Sequence, residues 1–416
     1  MQTQSYKISE HTQHHTSKHD VGTVIPTLEY PPLGIYANKV ANTDSQKVTN
    51  KPLRSKLHKI RQQISKRKLA SDRVCNCGYK PLSGAVEIHI NKKHNSAKVA
   101  GVETCGSVWA CPVCRTKIMT KRAKELKTIG EGYKRDGGKT VLVTLTVPHY
   151  KGQHLDTILG SHKNKTGLSG AMARLRQHRR FRQLKEDINY DADARAIENT
   201  YGQNGYHSHI HLIFYYRGDI SLETLESRLY DIWADVCVSA GLEMPTPARG
   251  VKVTEGEGEY LAKWGAPCEL TSDHKQAKNG NKTISELEAS LLGDSSAETI
   301  LKQYYQTMHG RKLLTWAGTN LRKKYLADPN LTDEQLATDD HNDGERLFVL
   351  PFGLWKQIYH TNNVGQMLTA VEKDPDRGLH DFCKRYGIDS SGAVRSYKQF
   401  DIAQNIRIDL SGFMEN

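Results

Sequence analysis

A chain of 416 residues, 37% of them hydrophobic, has material for two or three domains and at least one sizeable core. Lys and Arg outnumber Asp and Glu by 59 to 46, a net charge of +13, which favours a polyanionic partner because cationic side chains displace counterions from phosphates. No apolar run approaches the length needed to cross a bilayer, and residues 1–20 lack the apolar stretch of a signal peptide, so no membrane partner and a cytoplasmic location are expected. Charge alone does not choose between DNA, RNA and a membrane surface.

Residues 1–50 have few apolar residues and no periodicity, the composition of a disordered leader. A metal-binding tail through His11, His14, His15 and His19 is the alternative. Between Lys51 and Lys68 stand eight Lys or Arg residues over a helical stripe of Leu53, Leu57, Ile60 and Ile64, read equally as a solvated basic helix or a DNA-backbone contact. Five of the eight cysteines fall between Cys75 and Cys114, while Cys237, Cys268 and Cys383 stand apart. In a cytosolic chain such clustering indicates a metal site rather than disulfides. Four thiolates make a closed structural Zn²⁺ site. Cys105, Cys111 and Cys114 are favoured, with either Cys75 or Cys77 as the fourth ligand, ahead of His89 or His94.

A helix is expected over about 117–135, ended by Gly137-Gly138, and a central strand over 140–147 from its β-branched residues. Residues 168–188 read as a helix whose outer side carries Arg174, Arg179 and Arg180, candidates for DNA contact. Arg195–Tyr201 and Tyr206–Tyr216 read as a hairpin about the turn Gly202–Gly205. Ser221 caps an amphipathic helix closed by Gly241; a strand over 250–254 leads to a helix carrying Tyr260 and Lys263 on one face. Residues 271–299 read as a polar insertion.

Alternation along a strand puts His207, His209 and His211 on one face and Ser208, Ile210 and Leu212 on the other. Three imidazoles side by side make a poor core and a good cation site. Glu198, expected roughly opposite His207, would supply a carboxylate ligand or orient a ring. In a basic protein a cation here would polarise a phosphodiester oxygen.

Thr144-Leu-Thr-Val-Pro-His149, Gly205-Tyr-His-Ser-His-Ile-His-Leu-Ile213 and Tyr260-Leu-Ala-Lys263 stand in the order of three motifs that resemble those of rolling-circle plasmid replication initiators. Those proteins belong to the His-hydrophobe-His (HUH) endonuclease superfamily. Met308-His-Gly-Arg-Lys-Leu-Leu-Thr-Trp316 resembles a later segment of such proteins, with Arg311 and Lys312 as further DNA-contact candidates; the likeness covers about 75–325. It implies His209 and His211 as the metal pair with His207 as a third ligand, Mg²⁺ or Mn²⁺ as catalytic ion, Tyr260 as nucleophile and Lys263 beside it. It also implies nicking of one strand at a double-strand origin, a 5′-phosphotyrosine link, a 3′-OH primer and later rejoining. Some relatives carry a Glu one helical turn before the Tyr for termination. That position is Gly256 here, and Glu257 is the nearest candidate on the same face.

The expected fold is α+β: a ferredoxin-like HUH core, its antiparallel-centred sheet covered by helices on one face. The expected organisation is a leader over 1–50, a basic helix and zinc module over 51–135, and the nicking domain over 136–326. An acidic linker over 327–346 and a small helical domain over 347–416 follow. Expected partners are double- and single-stranded origin DNA and the host helicase and polymerase. The competing readings are a non-catalytic zinc-containing DNA-binding regulator, a related tyrosine transposase or relaxase, and an RNA-binding protein on the same sheet.

Overall fold

The first described element is a helix whose apolar stripe turns inward. The computed structural model describes residues 47–92, 95–256, 280–338 and 344–396, all within one compact unit. In chain order, α1 spans Lys47–Lys66, a hairpin pairs β1 (Ala85–Asn91) with β2 (Ser96–Ala100), and α2 runs Pro112–Arg135. Strand β3 (Lys139–Thr146), helices α3 (Gly167–Gln177) and α4 (Arg179–Asp187), and the hairpin β4 (Tyr190–Gly202) and β5 (Gly205–Tyr216) follow. Then come α5 (Leu222–Ser239), β6 (Val251–Glu255), β7 (Lys282–Thr283), α6 (Ile284–Ser290), α7 (Glu298–Met308) and β8 (Leu314–Gly318). The last part holds α8 (Asp333–Thr338), β9 (Glu345–Pro351), α9 (Phe352–His360), α10 (Val364–Lys373), α11 (Gly378–Arg385) and β10 (Val394–Arg395).

The fold is α+β with two antiparallel sheets. One is ordered β6-β3-β5-β4-β7, with β8 also paired to β4; the other is ordered β10-β9-β1-β2. Strand β5 lies at the centre of the larger sheet, and its residues from Ile210 to Tyr216 are all buried, which requires cover on both faces. On the Phe214 face, Phe181 of α4 packs 6.2 Å from the Phe214 ring and Trp233 of α5 donates from Nε1 to the Thr146 carbonyl at 2.9 Å. On the opposite face, Tyr133 of α2 meets Tyr215 edge-on at 5.3 Å. Helices therefore flank both faces rather than the single face expected, because α2 crosses the Tyr215 end of the sheet.

Three further expectations change. The helix expected over 168–188 breaks at His178, whose backbone is extended (φ −66°, ψ 132°) and whose ring accepts from the Arg180 N–H as cap of the second helix. Part of the polar stretch 271–299 folds: Thr283 and Glu286 form a reciprocal capping box that starts α6. The acidic stretch 327–346 is structured at 333–338 and from 345, with Asp333 accepting from Nε of the buried Arg122 at 2.9 Å.

The region from 347 onward is not helical alone. Strand β9 pairs with β1 from Ala85↔Pro351 to Ile90↔Glu345, and Val86, Ile88 and Ile90 share a core with Phe348, Trp355, Leu368 and Phe382. Helix α1 serves both cores. Leu57, Ile60 and Ile64 enter the larger one, while Arg54 and Gln62 bond to Glu372 of α10 and the Tyr359 carbonyl of α9. Arg54 and Arg61 are turned into the protein, so these charges of the basic helix are internal contacts.

Candidate functional site

The histidine row is built by register. Strand β3 pairs with β5 so that Thr144 faces His211 and Thr146 faces His209. The polar residues of Thr-Leu-Thr therefore share the histidine face while Leu145 turns to the core. Thr144 Oγ1 lies 3.0 Å from His211 Nδ1 and Thr146 Oγ1 lies 2.8 Å from His209 Nδ1. These hydroxyls hold both rings by the same nitrogen, which directs Nε2 of each outward from the threonines. The two threonines alternate with the same period of two as the histidines, and that was the signal available in the sequence.

On the other side, the short turn fixes Gly202 opposite Gly205, and counting back pairs Thr200 with His207 and Glu198 with His209. Glu198 is thus one pair further along than expected, and its Oε2 lies 2.6 Å from His211 Nε2. His211 is buried, with 4% of its side chain exposed, whereas Glu198 keeps 39%; the carboxylate marks the edge of the site. His149, just past β3, stacks on His207 at 4.4 Å, and the His207 and His209 rings lie 4.1 Å apart. Exposed Arg249 stands near this end of the row, and the backbone of exposed Lys151 lies against Gly205 at the start of β5.

Burial, then the neighbouring His207, pushes His209 down to about 3, with Glu198 opposing. Burial, His149 and Arg249 lower His207 in the same direction. Both are therefore neutral at pH 7, the form that ligates metal. Neutral imidazoles with one carboxylate suit Mn²⁺, Mg²⁺ or Zn²⁺. The row is not closed, however. Among the described residues the only group of three or more metal-ligating side chains whose donor atoms lie within 4.8 Å of one another is made of cysteines.

That group is Cys77, Cys105, Cys111 and Cys114, all buried. The Sγ–Sγ separations are 3.6 Å for Cys77–Cys114 and for Cys105–Cys114, and 3.8 Å for Cys77–Cys111. A tetrahedron of sulfurs each about 2.3 Å from one ion has edges of about 3.8 Å, so the four thiols fit a Zn²⁺ ion. Cys77 and Cys105 are each followed by a glycine in the left-handed region, Gly78 (φ +68°) and Gly106 (φ +63°). The chain folds back there so that backbone N–H groups meet sulfur, as in Ser107 N–H to Cys105 Sγ at 3.4 Å. Cys111 caps α2 and Cys114 sits in its first turn. Hydrogen bonds from Cys105, Cys111 and Cys114 drive the Cys77 thiol far down, and its neighbours push Cys111 up. Cys75 is the spare cysteine, its Sγ directed to the Ala70 carbonyl at 3.5 Å. His89 bonds Glu87 and is not a ligand; His94 lies outside the described residues.

The remaining candidates divide. Arg311 is a staple rather than an open cation: it donates to Thr307 O, Ser169 Oγ and Gly160 O, and its own carbonyl accepts from Trp109 Nε1. Arg174 donates to Ser239 O and Arg180 pairs with Asp235, whereas Arg179 and Lys312 are exposed. Tyr260, Lys263 and Glu257 lie outside the described residues. The described chain leaves the sheet at Gly256, whose N–H bonds Thr140 O at one edge, and resumes at Gly280 before β7 at the other.

Comparison with known proteins gives two partial likenesses. The chain is 27% identical to the protein named Protein rep of Streptomyces lividans over 227 residues, 48% of this chain and 47% of that one. It is 29% identical over 137 residues to a neomycin resistance protein of Streptomyces cyanogenus, 28% of this chain and 31% of the relative. The chain therefore spans about half the length of the first relative and less of the second. No family model and no solved structure matches it.

Proposed function

We propose that the chain is a Rep-type plasmid replication protein that nicks one strand of its origin DNA and later rejoins it, on an HUH core. The observation that carries the reading is the threonine-oriented pair His209 and His211 with the partly exposed carboxylate of Glu198 at its edge, in a basic protein. The likeness to Protein rep supports it in name. Tyr260 enters this reading through the resemblance of Tyr260-Leu-Ala-Lys263 to the third motif of the initiators.

In the proposed reaction Tyr260 Oη attacks phosphorus, the P–O3′ bond breaks, the phenol loses its proton and the departing 3′-oxygen gains one. The 5′-phosphate stays on Tyr260, and rejoining is the reverse attack by a 3′-OH. A divalent cation, when bound, supplies polarisation of a non-bridging phosphate oxygen. His209, His211 and Glu198 would hold it, with His207 as a third imidazole. Thr144 and Thr146 keep the rings in the ligating tautomer, Lys263 eases loss of the phenol proton, and Lys151 and Arg249 draw in the phosphate backbone. Glu257 remains the candidate for termination. The four cysteines hold structural Zn²⁺. Single- and double-stranded origin DNA, a helicase and a polymerase are the proposed partners.

The test is incubation with supercoiled DNA bearing the cognate origin and Mn²⁺. A covalent protein–DNA adduct is expected in the wild type and absent in Tyr260→Phe. An adduct that survives the substitution displaces the nucleophile. No adduct with the cognate origin favours the second reading, a zinc-containing DNA-binding protein without catalysis, which draws on the cysteines being the closed ligand set.

A further inference from the structure

Arg61, on α1, keeps only 5% of its surface exposed, a costly place for a guanidinium unless an anion accompanies it. Its hydrogen-bonding neighbour is His58, whose Nδ1 lies 3.2 Å from Nη2, and its Nε has no partner. His58 is itself kept neutral, pushed well below its usual value by burial and then by Arg61. Gly78, directly after Cys77, leaves the room. A Cβ there would stand 2.2 Å from Arg61 Nη1, so the guanidinium lies against the turn that carries the first thiol.

Four thiolates around one divalent cation carry two net negative charges, which is the anion this buried cation lacks among the described residues. The same spot is where the C-terminal region meets the rest of the chain. Tyr359 of α9 has its ring centroid 6.0 Å from Arg61 Cζ. Tyr79, next in the turn, packs on Tyr359 at 4.8 Å and on Phe352 at 5.6 Å, and its carbonyl accepts from Trp355 Nε1 at 2.9 Å.

We propose that Arg61 is the counter-charge of the metal–thiolate centre, and that the loaded centre with Arg61 forms the joint that docks α9 and the β9 sheet onto the rest of the protein. Arg61 is a positioning residue here: it touches no substrate, and its role is independent of whether the chain nicks DNA.

The experiment uses the zinc-loaded full chain. Zinc release to a chromophoric chelator is timed in the wild type, Arg61→Gln and Arg61→Lys, and hydrogen exchange is followed by mass spectrometry. Loss of the charge should speed zinc release by about 10- to 100-fold, and Arg61→Lys should stay within a few fold of the wild type. Exchange should rise over 77–80 and 345–373 in Arg61→Gln and in chelated wild type, with β3 and β5 still protected. Wild-type release from Arg61→Gln, or exchange rising equally in β3 and β5, overturns the proposal. Should Arg61→Gln not accumulate as folded protein, Arg61→Lys decides. Slow release supports the charge role, and release tenfold faster than the wild type contradicts it.

Discussion

The four cysteines come from a turn, a loop and the first turn of α2, and their sulfurs all lie within 4.8 Å of one another, three of the pairs at 3.6 to 3.8 Å, with each residue buried. The three histidines come from a single strand, where alternate side chains are spaced by about 6.6–6.8 Å of rise, and their rings are separated by 4.1 and 5.9 Å. Irregular backbone can wrap a cation; a strand can only present donors to one. The difference is the one between a structural site with all positions filled by protein and a site that keeps positions open for something else. On the proposed reading the cysteines serve folding and the histidine row exchanges with solvent and ligand.

The largest effect should come from opening the closed site. Cys111→Ser is expected to lose the metal and with it soluble, folded protein, since structural Zn²⁺ contributes roughly 10–16 kcal/mol to small zinc-dependent folds; metal analysis and a thermal melt check this. Stable metal-free Cys111→Ser would erase the contrast. A smaller effect is expected from Thr146→Val, which removes the hydroxyl on His209 Nδ1 at nearly constant volume. Mn²⁺ affinity should fall about tenfold or more with zinc content unchanged, read by titration; unaltered affinity would deny the threonines their orienting role.

A pH effect follows from His209. Its folded value of about 3 is depressed by burial, so in metal-free histidine sites the folded state refuses a proton that the unfolded chain accepts below about 6.5. The contribution is fully present above pH 6.5 and is lost as pH falls toward 3. The wild type should therefore lose more thermal stability between pH 7 and pH 4.5 than His209→Gln, and equal slopes would contradict the burial argument. The smallest effect belongs to Cys75→Ser, a cysteine outside the cluster, which should leave metal content unchanged and stability within about 0.5 kcal/mol.

What the sequence disclosed follows the range of its signals. Alternation placed His207, His209 and His211 on one face, and clustering found the cysteines, because both patterns are local. Glu198 was read one pair off because cross-strand register depends on the turn, where Gly202 meets Gly205. Spacing could not choose Cys77 over Cys75: they are two residues apart, and only the fold-back at Gly78 turns one sulfur toward Cys114. The pairing of β9 with β1 joins Ala85 to Pro351, a contact over more than 250 residues that no window along the chain contains. Charge alone named Arg311 a DNA-contact candidate, and only the fold shows that it also donates to Thr307 O, Ser169 Oγ and Gly160 O.

The contrast between the two regions is tested most directly by counting ions in the zinc-loaded full chain. Mn²⁺ titration followed by electron paramagnetic resonance, with zinc measured on the same samples, would be run on the wild type and on the double variant His209→Ala/His211→Ala. The account expects one exchangeable Mn²⁺ per wild-type chain, lost in the double variant, and zinc equal in both. Mn²⁺ bound as well by the double variant as by the wild type would show that the histidine row is not the exchangeable site.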